Sequence, residues 1–243
     1  MHHHFGSIRE AYDKGRKLYS GEVISYVLSL VKSSAKILDV GCGTGIATRQ
    51  IAKIERNVSG CDVDVKMIEV AMRYRDPIIN YYLCSANNMP FENEVFDIAT
   101  AFGAFHWFYD KQSVLEIKRV LKKNGIFVAI NKEDIGSFRE DYRRIVEKII
   151  GSVPISGKEG YNPIEVLKQN DFNNLIDKRF FTMEMFNIEE ALLAVQSVGR
   201  LFDKASKSQK LETLEALRQH YILNSKEGFV ERSLEIRIVS GIK

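Results

Sequence analysis

The sequence is poor in cysteine and proline, with three of the first and four of the second in 243 residues, and it carries one tryptophan. Cys42, Cys61 and Cys84 are odd in number, lack paired metal-type spacing and sit in apolar, strand-like segments. That pattern argues against a disulfide framework and for buried free thiols, which point to a reducing, cytoplasmic setting. No apolar run approaches the ~18–20 residues needed to cross a bilayer, and no signal peptide is visible. A strong excess of one charge is also missing. The 35 Lys and Arg against 32 Asp and Glu leave a net +3, without the dense basic patch of a nucleic-acid binder. Internal repeats and low-complexity tracts are absent. The start Met1-His2-His3-His4 reads as a tag remnant, so residues 1–7 are set aside as leader.

What is present is the balance of a globular protein, 45% hydrophobic and 28% charged, long enough for one α/β domain or a core with an inserted cap. Strand-like and helix-like stretches alternate through residue 131. Residues 36–40, 57–61, 78–83, 96–101 and 125–130 read as strands, and 22–31, 44–54, 65–72 and 113–121 as helices. Such alternation favours a parallel sheet with helices on both faces. Beyond Asn131 the pattern changes. Phe138, Tyr142, Ile145, Val146 and Ile149 recur at helical spacing, and a loop-rich stretch runs from Gly151 to Pro163. Residues 176–186 read as a strand, Leu211, Leu214, Leu217 and Tyr221 mark a helix, and 234–239 alternate like a final strand. The expected organisation is a core at 8–131, a cap or insertion with a late sheet strand at 132–226, and a closing strand at 227–243.

The chemistry centres on Asp39-Val40-Gly41-Cys42-Gly43-Thr44-Gly45, which follows a strand and opens a helix. Gly41 and Gly43 let the backbone approach a ligand because no Cβ intervenes, and in an open α/β sheet that ligand lies beyond the carboxyl ends of the strands. A dinucleotide fingerprint, G-x-G-x-x-G, would need its third glycine at position 46, which is Ile46; the third glycine here is Gly45, expected with Asp39, Gly41 and Gly43 among the cofactor residues. Asp39, two residues before Gly41, would repel a pyrophosphate and attract an ammonium group. This charge logic prefers S-adenosylmethionine (SAM), a sulfonium without phosphate, over NAD. Asp62, at the end of the second strand, is placed to accept hydrogen bonds from both ribose hydroxyls, and Asp64 to cap the next helix.

These segments resemble the class I SAM-dependent methyltransferases, of the methyltransferase type 11 kind, over roughly residues 8–131. ILDVGCGTG resembles that family's first motif and CDVDVKMIEVA its second strand and helix. Residues 85–91 with Phe96-Asp97 resemble its D-A-E-x-L-P-F…F-D segment, and VLEIKRVLKKNGIF its helix and following turn. The resemblance implies a Rossmann-like, seven-stranded, mostly parallel sheet whose last strand is antiparallel, with a helical cap insertion. It implies SAM as cofactor and S-adenosylhomocysteine as product. Val63 would pack on the adenine and the Ala86 N–H would meet the ring. Ser85 stands where the family has an acid, shifting the polar contact toward Asn87, although Asn87 and Asn88 read equally as a plain turn. Ala101 and Phe102, at the tip of strand four, join the cofactor residues.

Phe105-His106-Trp107-Phe108 resembles the trans-aconitate-methyltransferase-like subgroup, as does Tyr12-Asp13-Lys14-Gly15-Arg16-Lys17-Leu18-Tyr19-Ser20, which lacks both prolines of that subgroup's Y-x-x-x-R-P-x-Y-P. The likeness implies that Arg16 pairs with the cofactor carboxylate and that Tyr12 and Tyr19 close the pocket. Arg16 reads equally as a solvated helix charge. His106 is the candidate base, since imidazole titrates near neutrality, or it shapes the pocket wall. Trp107 and Tyr161 are assigned to the substrate pocket. Phe138 and Tyr142 are candidates for that wall, with core packing as their default, and Phe105 and Phe108 read equally as core. The chain lacks the [DN]-P-P-[YF] of amino-methylating enzymes and the Pro-Cys of cytosine-C5 chemistry. The acceptor expected is therefore a small organic molecule with a hydroxyl or carboxyl oxygen, with neither nucleic acid nor membrane as partner. A SAM-binding regulator without turnover and an NAD-linked oxidoreductase are the alternatives.

Overall fold

The computed structural model describes residues 15–74, 76–151, 160–198 and 201–243. Tyr12 lies outside them. Seven strands form one sheet: β1 (Ile37–Val40), β2 (Val58–Asp62), β3 (Ile79–Leu83), β4 (Phe96–Phe102), β5 (Leu121–Asp134), β6 (Asn173–Asn187) and β7 (Phe229–Ile242). Their spatial order is β3-β2-β1-β4-β5-β7-β6. The first five run parallel, and β7 is antiparallel to both β5 and β6. The sheet is thus of the expected Rossmann-like, seven-stranded kind. Strand order reverses on either side of β1, which opens a crevice between the β1 and β4 tips, where ligands of such sheets bind.

All four residues of β1 are buried, as a parallel strand covered on both faces must be. On one face α1 (Gly21–Ser29) and α2 (Ile46–Ala52) pack Val23, Val27 and Ile51 against Ile37, Ile98 and Val128. On the other, α4 (Lys111–Val120) packs Val114 and Ile117 against Leu38, Ala99 and Phe127. Polar side chains start two of the helices of this half. The Asp64 carboxylate accepts from the Lys66 amide at the head of α3 (Val65–Arg73), and Asp110 accepts from the Ser113 amide at the head of α4. Each satisfies an amide that the first helical turn leaves without a partner.

The second half departs further from expectation. Strand β5 starts at Leu121 and continues to Asp134, and β7 spans Phe229–Ile242. The alternation in sequence marks only the part of each strand that faces a core, whereas hydrogen-bond pairing with β6 carries β7 well past it. Beyond α5 (Phe138–Ile150) come two helices that periodicity did not announce, α6 (Pro163–Gln169) and α7 (Ile188–Gln196). Pro163 is therefore the first residue of a helix rather than the end of a loop, a position where its missing N–H costs nothing. A capping box between Asn187 and Glu190 starts α7. Helices α7 and α8 (Lys207–Asn224) lie between β6 and β7, which are consequently not a turn-linked hairpin. Phe138 and Tyr142 belong to a third core with Phe186, Leu217 and Tyr221, where the Phe138 ring stacks on Tyr221 at 5.9 Å. Packing of α5 on α8 takes them away from the pocket wall. Among the described residues, no helix is long and apolar enough to cross a membrane.

Candidate active site

A cavity of about 440 Å³ opens at the tips of β1, β2 and β4, lined by Gly41, Gly43, Asp62, Val63, Ser85, Ala86, Phe102 and Trp107 among others. It is the size of a typical small-molecule site. Gly41 and Gly43 both have positive φ, +71° and +56°. A Cβ on Gly41 would stand 2.6 Å from that of Ala104, so the loop admits only glycine there. Gly45 has φ +78° but lies outside the cavity. It precedes α2 and abuts Tyr81, whose ring carbon would sit 2.9 Å from an added Cβ. Its smallness serves helix–strand packing, not ligand approach.

Two carboxylates govern the local field. The Asp62 carboxylate accepts from the amides of Gly43 at 2.8 Å and Asp64 at 2.9 Å, so it ties the glycine loop to the β2 tip. Asp39 lies behind the loop, fully buried and outside the cavity lining. It accepts from the Thr48 hydroxyl at 2.7 Å and the Thr100 hydroxyl at 3.2 Å. Burial pushes its pKa up to about 7, partly offset by those hydroxyls and reinforced by Asp62. Burial likewise raises Asp62, with the neighbouring Asp64 charge adding to the shift. The donors that hold both acids are neutral. At the far end of the loop the Arg49 guanidinium donates to the Thr44 carbonyl at 2.5 Å.

The adenine side follows the expected chain positions in part. Val63 is 56% exposed and forms cavity wall, with Ser85 and Ala86 opposite it. Asn87 is exposed and outside the lining. The bridge between Ser85 and Asn88 makes this segment the tight turn that was its other reading. Phe102 reaches the cavity, whereas Ala101 points into the core and is fully buried. Sequence reasoning did not name Met67 or Cys84, which also line the space; Met67 follows Asp64 at helical spacing, a signal that was there to be used. Thr48 and Thr100 were missed too, because nothing local in sequence marks a hydroxyl that reaches a distant acid.

The acceptor side is less complete. A 3₁₀ turn, Phe105–Trp107, follows β4. It sends Trp107 to the cavity and buries Phe105 in the core, while Phe108 reaches the cavity as well. His106 lies tilted against Trp107 at 4.7 Å and edge-on to Tyr161 at 6.1 Å, one layer behind the lining. Tyr161 sits among Phe105, His106 and Tyr109, also behind it. Arg16 donates to the Ser197 carbonyl at 3.5 Å and so docks on the end of α7 instead of lining the cavity. Tyr19 packs edge-on against Phe102 at 4.8 Å, beneath the Lys132 ammonium at 4.4 Å.

Residues 38–129 match the family model described as "Methyltransferase domain". A ubiquinone/menaquinone biosynthesis C-methyltransferase of Campylobacter jejuni is 28% identical over 216 residues, covering 79% of this chain and 90% of that protein. Among solved structures, a putative type II methyltransferase from Anaeromyxobacter dehalogenans superposes with a TM-score of 0.68 at 19% identity, covering 93% and 97% of the two chains. A phosphoethanolamine N-methyltransferase of Haemonchus contortus, solved with S-adenosylhomocysteine, gives a TM-score of 0.55 at 17% identity, covering 98% of this chain and 57% of that one.

Proposed function

Starting from a chain whose residues 38–129 are a methyltransferase domain on the class I SAM-dependent fold, we propose that it transfers a methyl group from SAM to a hydroxyl or carboxyl oxygen of a small organic molecule. The observation that carries this reading is the pair of acids, Asp39 and Asp62, held by neutral donors around a glycine cradle. Burial raises both carboxyls, with Asp62 adding to the shift of Asp39, so a cation beside them stabilises their ionised form and a diphosphate opposes it. The NAD-linked alternative fails on the same ground.

In this reading Asp62 holds the ribose diol, Val63 and the Ser85–Ala86 segment flank the adenine, and Gly41 and Gly43 admit the methionine chain. Asp39 supplies its charge from behind the loop, through the Thr48 and Thr100 contacts that fix its orientation. When bound, the sulfonium supplies an activated methyl, so the protein's task is alignment of a nucleophile behind it. Trp107 and Phe102 exclude water and offer aromatic faces to positive charge. His106, buttressed by Trp107 and Tyr161, takes the proton of a hydroxyl acceptor once Trp107 yields to it in the cavity, whereas a carboxylate attacks already ionised. The Phe105-His106-Trp107-Phe108 segment beside the cavity supports a likeness to the trans-aconitate-methyltransferase-like subgroup.

The C-methyltransferase and N-methyltransferase activities named for two similar proteins set the rivals for the test. Methyl transfer to a panel of small carboxylates and phenols, beside a quinol and phosphoethanolamine, is expected to label an oxygen acceptor. Labelling of carbon or nitrogen alone would overturn the acceptor class. S-adenosylhomocysteine binding without any product would favour a non-catalytic SAM-binding regulator.

A further inference from the structure

The sheet ends on β6, a 15-residue strand whose outer edge has no partner strand among the described residues. Natural edge strands are guarded by proline, bulges, short length or charge. Strand β6 holds no proline, and its one irregularity lies at its start, between Asn173 and Ile176. Its exposed charges, Asp177, Lys178 and Arg179, are confined to one stretch. From Phe180 to Asn187 the only charge is Glu184, which is held inside the fold by Lys132 at 2.8 Å and Arg232 at 3.3 Å. On the outward face of that stretch stand Phe181, Met183 and Met185, exposed by 68%, 55% and 40%. An ungoverned, apolar edge of this length is a template for another strand.

We propose that this edge pairs with the same edge of a second copy, antiparallel about a two-fold axis at Phe181, to give a dimer with one continuous sheet. A two-fold requires that the surface complement itself, and the order of residues along β6 does so about this point. Phe181 then faces Phe181, and Arg179 lays its aliphatic stem along Met183. Centring the axis on Lys178 or Arg179 would instead set like charges face to face, which is unfavourable for directly opposed residues. Apolar burial decides the register, because exposed ion pairs contribute little by comparison. The inference stands apart from the methyltransferase reading, since none of these residues lines the cavity.

Sedimentation equilibrium of the full chain at tens of micromolar is expected to give about twice the monomer mass of 27.8 kDa. Phe181→Lys brings two cations together on the axis and is expected to return the protein to monomer. Met183→Lys, away from the axis, is expected to weaken association without abolishing it. Unchanged S-adenosylhomocysteine binding by calorimetry certifies that both variants are folded. A monomeric wild type, or a dimer that persists in Phe181→Lys, overturns the proposal.

Discussion

On the β1–β2 side of the sheet the buried Asp39 and the half-buried Asp62 are held by hydroxyls and amides, whereas on the β5–β7 side Asp134 and Glu184 are held by cations. Arg232 grips Asp134 with two bonds of 2.7 Å and reaches Glu184, which Lys132 also meets at 2.8 Å. All four side chains are at most 13% exposed. Neutral donors orient a carboxylate and leave its charge to act on a ligand; a guanidinium consumes that charge for structure. Similar residue types thus make a binding field at one end of the sheet and a rivet at the other.

The sharpest way to break this contrast is to remove one member of the rivet. Glu184→Ala takes from the buried Lys132 its carboxylate partner, while Arg232 keeps Asp134, and is expected to cost about 3–5 kcal/mol of stability, read by chemical denaturation. A loss below about 1 kcal/mol would mean that the network is solvated and equivalent to a surface pair. Next in size, Gly41→Ala forces a side chain into φ +71° and against Ala104. About 2–3 kcal/mol of destabilisation is expected from the strain and overlap together, with loss of S-adenosylhomocysteine binding by calorimetry. Asp62→Ala should weaken that binding by about 1–3 kcal/mol through lost charge-assisted hydrogen bonds. Its effect on unfolding should be slight, since the acid is already raised by burial. Unchanged affinity would remove Asp62 from the site.

The smallest effect separates the two kinds of acid by pH. The folded pKa of Asp39, about 7, lies above its ordinary 3.8. The native state therefore holds the proton more tightly, and stability falls as pH rises through the window between those values, levelling off above it. Lowering the pH from 8 to 6 is expected to stabilise the wild type by about 1 kcal/mol relative to Asp39→Asn. Matched thermal melts of the two proteins at each pH check this, and parallel pH profiles would show that Asp39 is ionised throughout.

The same division governs what was legible in the sequence. The glycine loop and the Asp64 cap could be read from spacing because each acts through backbone within its own strand-turn-helix unit, and Asp62 from its place at a strand tip, although its bond to Gly43 crosses to the neighbouring unit. Gly45 lies against Tyr81 and outside the cavity lining, which spacing does not announce, since a positive-φ glycine looks the same in sequence whether it faces a cavity or a ring. Arg16 was assigned to the cofactor from a motif, yet its docking on Ser197 joins positions far apart in the chain. Helix α7 was overlooked although Asn187 and Glu190 carry its capping signal; its apolar residues, Ala191, Leu192, Ala194 and Val195, are too densely packed to show a polar face.

Local order along the chain determined the alternating core, the cradle of small residues and the acid at the second strand tip, because backbone dihedrals and helix starts depend on near neighbours. The assembly of Asp39 with Thr48 and Thr100, the lock of Arg232 on Asp134 and Glu184, and the withdrawal of His106 behind Trp107 were decided only by folding. Those arrangements join side chains from separate strands and helices, and the pairing of distant charges is set by how the elements pack.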